Sequence, residues 1–177
     1  IQQAQDHLKQ LYEEVRNYAA PLKLQMEPWN LASIWRQAWD NLQVLRKDKK
    51  ATLSEENAGV DLRIPVDHFR LGQVFRNIFE NSLAAGAEPI EVKVSYVSER
   101  LGDTEAIRLS IQDNGPGLND EQKERIFDPF FTTKTKGTGL GMAIAKRIVE
   151  AHGGQIAIGS GTPRGAEILI TLPVEIP

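Results

Sequence analysis

The sequence contains no cysteine, which excludes a disulfide framework and any metal site built on thiolates. We recognise no signal-peptide pattern and expect none, and no apolar run in the sequence is long enough to span a membrane. Positive charge is not in excess: the net charge is −3, and the short basic cluster at residues 46–50 is interpreted as a solvated helix end. We therefore expect no nucleic-acid partner, and a soluble cytoplasmic domain whose parent protein can still carry a membrane anchor.

Apolar residues near the start of the chain follow a heptad repeat. They occupy its a and d positions, namely Ile1, Ala4, Leu8, Leu11, Val15, Tyr18 and Leu22. This pattern predicts a helix that packs on a partner helix, although an ordinary amphipathic helix packed on its own domain is the alternative. Pro21 breaks the pattern, so we expect a helical extension at 1–21 and a domain at 22–177. Because the pattern is under way at Ile1 without a methionine, we expect a piece of a longer protein.

The rest of the sequence alternates between helical and strand periodicity. Strands are predicted around residues 22–27, 52–53, 60–64, 90–96, 107–111, 156–158 and 168–170, with a hairpin connection at 98–105. A first helix is predicted after Asn30, with Leu45 on its apolar face. A second helix is predicted from Asp67 to Ala85, with Phe69 facing inward, and a third is predicted after Gly141. This order predicts an α/β (α+β) two-layer sandwich, in which helices cover one face of a mixed β-sheet.

Two asparagines, Asn77 and Asn81, lie four residues apart and therefore on one face of the predicted helix. Their neutral oxygens suit a hard cation such as Mg²⁺, which takes most of its negative charge from nucleotide phosphates. Such a pair by itself is usually only part of a helix surface.

A second segment, Asp113-Asn114-Gly115-Pro116-Gly117, follows a predicted strand. A carboxylate at a strand end can accept a hydrogen bond from an exocyclic amine such as adenine N6, and the glycines admit the ring close to the backbone. A tight turn with an Asx motif is the alternative for this segment alone.

The third segment is the glycine run Gly137-Thr138-Gly139-Leu140-Gly141, which opens a helix. Glycine lets the backbone approach an anion, and the free N–H groups at a helix start favour phosphate. Lys134 and Lys136 precede the run in a stretch poor in apolar residues, which indicates a mobile lid. The aromatic residues before the lid are interpreted as apolar contacts that fix its near end, with ordinary packing in the hydrophobic core as the alternative. These residues are Phe127, Phe130 and Phe131.

The order and spacing of these segments resemble the N, G1, F and G2 boxes of the histidine-kinase branch of the GHKL ATPase superfamily. The match comprises Asn77 and Asn81, then residues 113–117, 127–130 and 137–141. The sequence Asp-Pro-Phe-Phe-Thr-Thr-Lys with its short lid is similar to the nitrogen-regulation and sporulation branch. The resemblance covers about residues 22–175 and implies the GHKL ATP-binding fold, with ATP and Mg²⁺ as cofactors.

The resemblance also implies roles for individual residues. Asn81 is the expected Mg²⁺ ligand. The expected catalytic residues are Asn77, which shapes the metal and phosphate site, and Lys134, which approaches the γ-phosphate. Asp113 is expected to bind adenine N6. The other expected contacts line the base pocket, fix the lid or hold the phosphates: Gly115, Gly117, Phe130, Gly137, Thr138, Gly139, Leu140 and Gly141.

Two departures from the family pattern matter. Ala84 stands where many kinases of this family carry a basic residue, so more of the phosphate charge falls to Lys134. A phosphoacceptor histidine followed by an acidic residue is not among His7, His68 and His152. Residues 1–21 resemble the end of the second helix of a dimerisation and phosphotransfer domain. We therefore expect a protein-histidine kinase domain that does not autophosphorylate by itself. The implied partners are its own phosphotransfer domain, a response regulator and, in the full-length protein, a second copy.

Other functions fit the sequence less well. GHKL-type ATP-hydrolysing switches, such as topoisomerase, mismatch-repair and chaperone ATPases, carry a general-base glutamate where this chain has Asn77, so water activation lacks its base. A protein-serine kinase of the anti-sigma type is disfavoured by the heptad helix. A degenerate domain that only binds partners is disfavoured by the intact motifs.

Overall fold

The computed structural model describes residues 5, 9, 12, 13, 15, 16, 18–56, 59–86, 88–134, 137–160 and 165–175. Its elements follow in chain order: β1 (Glu27–Asn30), α1 (Leu31–Asn41), α2 (Gln43–Arg46), β2 (Ala51–Glu56), β3 (Arg63–Val66), α3 (His68–Ala85), β4 (Ile90–Leu101), β5 (Thr104–Asp113), α4 (Asp120–Arg125), α5 (Gly141–Ala151), β6 (Gln155–Ile158) and β7 (Glu167–Pro173). The heptad positions Ile1, Ala4, Leu8 and Leu11 lie outside the described residues, so the helix pairing stays a prediction.

Five strands form a mixed sheet in the order β2-β4-β5-β7-β6, in which only the β2–β4 pairing is parallel. Alternate residues of the central strands, such as Val94 and Leu109, are fully buried beneath the helices, while the intervening residues point to the other face. On that outer face Lys93 forms an ion pair with Glu56. The predicted mixed sheet with helices on one face is therefore confirmed.

Helix α3 is the central helix of the covering layer. Asp67 caps its N-terminus, because the Asp67 side chain accepts a hydrogen bond from the N–H of Arg70 at 3.0 Å. Its inner side is aromatic: Phe75 lies 6.0 Å from Trp35 and Phe79 lies 5.3 Å from Trp39, measured between ring centroids. Because α3 packs on the sheet and on α1 with this side, a different side of the helix remains available to line a site.

Helix α5 packs beside α3 and is tied to it by His152, which is buried at the end of α5. Its Nε2 accepts a hydrogen bond from the N–H of Asp67 at 3.0 Å, so the ring proton resides on Nδ1, which donates to the carbonyl of Ile148 at 2.8 Å. Burial lowers the pKa of His152, against the opposing effects of the Ile148 carbonyl and Asp67. The imidazole therefore joins the two helices in its neutral form.

Several strand boundaries differ from the sequence-based expectation. Residues 22–26 are irregular and β1 begins only at Glu27; the N–H of Gln25 donates to the Asp67 carboxylate at 2.9 Å instead of pairing with a strand. Pro65, which directly follows the strand predicted around residues 60–64, lies inside β3, where it pairs with Pro28 in a two-stranded sheet that tolerates proline at its edges. The β4–β5 strands extend through most of the expected connection and turn at Gly102 and Asp103.

Two predicted core residues are exposed. Phe69 is 75% exposed, because it lies in the first turn of α3 and points away from the sheet. Leu45 is 54% exposed, because the first helix ends at Asn41 and the chain continues as the short α2. Helical periodicity identified the apolar stripe in both cases but not where the helix meets its neighbours.

Candidate nucleotide site

A cavity of about 600 Å³ opens beside α3, in the size range of small-ligand sites. Three separated parts of the chain line it: the polar side of α3, the turn after β5 and the segment that leads into α5. The polar lining residues are Gln73, Arg76, Asn77, Glu80, Asn81, Ser82, Asp113, Gln122, Thr132, Thr133, Lys134 and Thr138. The fold thus brings all three predicted segments to one cavity.

The carboxylate of Asp113 lies at the inner end of β5 and is only 9% exposed. Its Oδ1 accepts hydrogen bonds from the N–H groups of Gly115 (2.9 Å) and Ala166 (3.0 Å), and its Oδ2 accepts one from the Ser82 hydroxyl (3.0 Å). Three donors therefore fix the carboxylate, and Oδ2 retains capacity for a further donor such as an amine. Gly117 lines the cavity with a φ of 80°, a conformation that favours glycine.

Asn77 is 8% exposed and connects the two helices that flank the cavity. Its Nδ2 donates to the carbonyl of Gly141, the first residue of α5, at 2.7 Å. The amide therefore fixes the start of α5, where free backbone N–H groups point toward a potential anion.

The side chain of Asn81, one turn further along α3, faces the lid. Its Oδ1 accepts a hydrogen bond from Lys134 Nζ at 2.6 Å. Partial burial lowers the pKa of Lys134, while the nearby charge of Glu80 acts in the opposite direction. An ammonium at this distance shows that the Asn81 oxygen faces a position that suits a cation, so its chemistry fits Mg²⁺. No cluster of three or more His, Asp or Glu side chains suited to a metal occurs within the described residues.

The glycine run folds back on the lid base. Phe130 N–H donates to the carbonyl of Gly139 at 3.0 Å, and Gly139 has a φ of 72°. A Cβ at Gly139 would lie 2.5 Å from the carbonyl carbon of Phe130, so only glycine fits. Gly137, Thr138 and Gly141 also line the cavity, next to the N-terminus of α5. The run can therefore hold phosphates through its backbone.

Three expected contact residues do not line the cavity. Phe130 is 59% exposed with a φ of 67°, because the close pairing with Gly139 turns its ring outward; the adjacent Phe131 lines the cavity instead, beneath the Arg125 guanidinium at 4.5 Å. Leu140 is fully buried in the core. Gly115 lies behind the cavity wall, where its N–H holds the Asp113 carboxylate. Lys136 lies outside the described residues.

Sequence reasoning did not assign Ser82 and Arg76, which also line the cavity. Ser82 could have been found by helical spacing, since it follows Ile78 by one turn on the side of α3 that meets β5. Arg76 directly precedes Asn77, and nothing in the motif pattern assigns it a role.

Comparison with known proteins gives the family. The sequence pattern of histidine kinase-, DNA gyrase B- and HSP90-like ATPases (HATPase_c) matches residues 66–176, which include every predicted motif. The chain belongs to this family. It is thus an ATP-binding domain of the HATPase_c type.

Its relatives within the HATPase_c family are sensor histidine kinases. Sensor histidine kinase ZraS of Escherichia coli O157:H7 is 30% identical over 174 residues, which are 97% of this chain and 36% of ZraS. Sporulation kinase B of Bacillus subtilis is 31% identical over 92% of this chain and 38% of its own length. The chain therefore spans little more than a third of these relatives.

Solved structures confirm the fold. The catalytic domain of histidine kinase ThkA is 32% identical with a TM-score of 0.72, covering 85% of this chain and 97% of that domain. Full-length ShkA in complex with AMPPNP has a TM-score of 0.80 at 27% identity, covering 97% of this chain and 36% of ShkA. ThkA in complex with the response regulator TrrA has a TM-score of 0.78 at 28% identity, covering 98% of this chain and 49% of the matched chain. The chain is thus homologous to the catalytic domains of sensor histidine kinases.

Proposed function

We propose that the chain binds ATP with Mg²⁺ and presents the γ-phosphate to a histidine elsewhere in its parent protein, as the catalytic domain of a protein-histidine kinase. The observation that carries this proposal is the amide side chain at position 77. ATP-hydrolysing relatives would carry a general-base glutamate at this position. In this chain Asn77 lies in the cavity wall and its amide donates a hydrogen bond to the Gly141 carbonyl. An amide cannot take a proton from water, so the cavity favours phosphate transfer over hydrolysis.

Each part of the ligand has a matching group. The Asp113 carboxylate would accept a hydrogen bond from the adenine amine, and the backbone from Gly137 to Gly141 would hold the phosphates. Asn81 would hold Mg²⁺, which when bound supplies positive charge that offsets the charge of the phosphates. Lys134 contacts Asn81 through a 2.6 Å hydrogen bond and would turn toward the γ-phosphate, so its role is positioning and electrostatic stabilisation.

The phosphoacceptor is proposed to lie outside this chain. The buried His152 uses both ring nitrogens in hydrogen bonds, and His68 stacks against Trp29 and Phe69 at 4.0 Å from each ring. His7 lies outside the described residues. By analogy with ThkA bound to TrrA, we propose a response regulator as the downstream partner. We also propose a second copy in the full-length protein, and a cytoplasmic position.

The alternative function, an ATP-hydrolysing switch, would require another base in the cavity. Glu80 is the carboxylate nearest to this role, but it lies 3.4 Å from the Arg76 guanidinium and faces the charge of Lys134. Its carboxylate faces these cations, whereas a general base must lie within hydrogen-bond reach of the attacking water. Transfer to an external histidine therefore explains the site better.

The test is calorimetric titration of the 177-residue chain with ATP and ADP, with and without Mg²⁺, followed by phosphate release in the same samples. We expect Mg²⁺-dependent ATP binding with negligible hydrolysis. Steady turnover would support the switch instead, and a lack of nucleotide binding would leave a domain that only binds partners.

A further inference from the structure

We propose that Arg76 is a second phosphate-binding cation of this site, one that compensates for the alanine at position 84. This inference rests on the proposed function and adds a binding residue to it. The sequence motifs assign no role to Arg76, and it is recognised only because of its place in the cavity wall.

The position of Arg76 is set by its neighbours in α3. Phe75 is fully buried on the core side and Asn77 faces Gly141, so the backbone between them is held firmly. The Arg76 side chain lines the cavity and is 55% exposed. Among the described residues, its guanidinium has one ionic partner, Glu80, at 3.4 Å between Nε and Oε1.

The charges around the cavity explain why a cation is needed there. Arg76 and Lys134 are the positively charged side chains among the described residues that line the cavity. Glu80 pairs with Arg76, acts electrostatically on Lys134 and would repel a phosphate chain if its charge were not offset. Ala84, which also lines the cavity, contributes no charge. With Lys134 alone, one ammonium would have to offset Glu80 and the part of the nucleotide charge that Mg²⁺ leaves.

The Arg76 guanidinium can exchange Glu80 for a phosphate. An exposed ion pair at i and i+4 is weak, so it opens at little cost. A guanidinium can donate two parallel hydrogen bonds to phosphate oxygens, and such bonds are stronger than a single long contact to a carboxylate. Glu80 thus holds Arg76 beside the cavity without ligand, and the triphosphate recruits it.

The test compares Arg76→Ala with Lys146→Ala by calorimetry of ATP, ADP and adenosine in Mg²⁺ buffer. Lys146 is the matched control, because it also pairs with a glutamate at i+4 (Glu150, 3.8 Å) on a helix, outside the cavity. We expect Arg76→Ala to weaken ATP binding about tenfold, the scale of a lost hydrogen bond to a charged group. Adenosine affinity should stay unchanged in both variants, and Lys146→Ala should bind ATP like the wild type.

A second variant gives an effect of the opposite sign. Glu80→Gln removes the repulsive charge and frees Arg76, so it should bind ATP more tightly than the wild type, with the difference shrinking at high salt. Arg76→Lys should recover part of the affinity lost in Arg76→Ala. Wild-type ATP affinity in Arg76→Ala, or equal losses for ATP and adenosine, would overturn the role of Arg76 while the proposed function stands. Failure of the wild type to bind ATP would overturn both.

Discussion

At the scale of single residues, Asp113 shows how a carboxylate is prepared for a ligand. Three protein donors hold it, from Ser82, Gly115 and Ala166. Two backbone N–H groups donate to Oδ1, and the Ser82 hydroxyl donates to Oδ2. Oδ2 can therefore accept a further hydrogen bond from an adenine amine. The donors come from three parts of the chain, which explains why the motif alone left a tight turn open as the alternative to a binding site.

Replacement of Asp113 by Asn should weaken ADP binding by about 1–3 kcal/mol, the scale of a lost hydrogen bond to a charged group. An Asn side chain can keep its oxygen toward the two N–H donors, so its amide would donate toward Ser82 and oppose the adenine amine. Calorimetry with ADP measures the loss. Ser82→Ala, which retains the carboxylate, is the control and should lose less; unchanged ADP affinity in Asp113→Asn would show that adenine binds elsewhere.

Replacement of Asn81 by Ala should remove the Mg²⁺ dependence of ATP binding, because the variant lacks the side-chain oxygen assigned to the metal. It also releases Lys134 from its 2.6 Å hydrogen bond. The measurement is ATP affinity across a Mg²⁺ titration, with adenosine as the control ligand. A variant that keeps the wild-type response to Mg²⁺ would place the metal at other groups.

At the scale of elements, α3 and α5 form one unit. Asn77 ties α3 to the first residue of α5, and His152 ties the end of α5 to the start of α3. One connection lies in the cavity and the other about one helix length away, so the orientation of α5 depends on both. The glycine run at the start of α5 is therefore positioned by α3.

The His152 connection should make stability depend on pH. Burial lowers the pKa of the folded imidazole, so below the unfolded pKa of about 6.5 the unfolded chain binds more protons than the folded one. The free energy of unfolding should therefore be at its full value above about pH 6.5 and fall as the solution becomes more acidic. Urea unfolding at a series of pH values measures this effect.

The control for the pH experiment is His152→Gln, which can accept from the Asp67 N–H but does not titrate. Its unfolding free energy should change less than that of the wild type over the same acidic range. An equal decline in both proteins would assign the effect to other groups.

Much of this element-level arrangement was predicted from the sequence. The cap at Asn30, the start of α3 near Asp67 and the alternating faces of the strands follow from local rules, whereas the capping role of Asp67 comes from the structure. The outward positions of Phe69 and Phe130 were not predicted, since Phe69 depends on where α3 meets the sheet and Phe130 on its hydrogen bond with Gly139.

At the scale of the whole molecule, the segment before β1 packs on the domain near the cavity. Arg147 on α5 donates to the carbonyl of Ala20 at 2.8 Å and lies 5.7 Å from the Tyr18 ring. Tyr18 and Leu22 border a small hollow that shares Gln73 and Ile144 with the wall of the nucleotide cavity. The two regions therefore share part of one wall. Among the helices of the described residues, none combines the length and apolarity that a membrane span requires.

Deletion of residues 1–21 tests the predicted domain boundary. We expect the free energy of unfolding to drop by about 1–3 kcal/mol, because the Tyr18 packing and the Arg147 hydrogen bond are lost. Nucleotide affinity should stay within about twofold of the full chain, since none of the described residues in this segment lines the cavity. Denaturant unfolding and calorimetry measure both. A large loss of ATP affinity would mean that the nucleotide-binding unit includes the extension.

The sequence by itself determined the types of element, the family and the residues whose chemistry suits ATP, because periodicity, caps and motif spacing are local properties of the chain. Only the tertiary structure decided which of these residues face the cavity. Leu140 is turned into the core, Gly115 supports Asp113 from behind, and Arg76 joins the cavity wall beside Asn77. The physical reason is that the direction of a side chain depends on the packing of α3, α5 and β5 against each other, which brings together residues that are distant in the sequence.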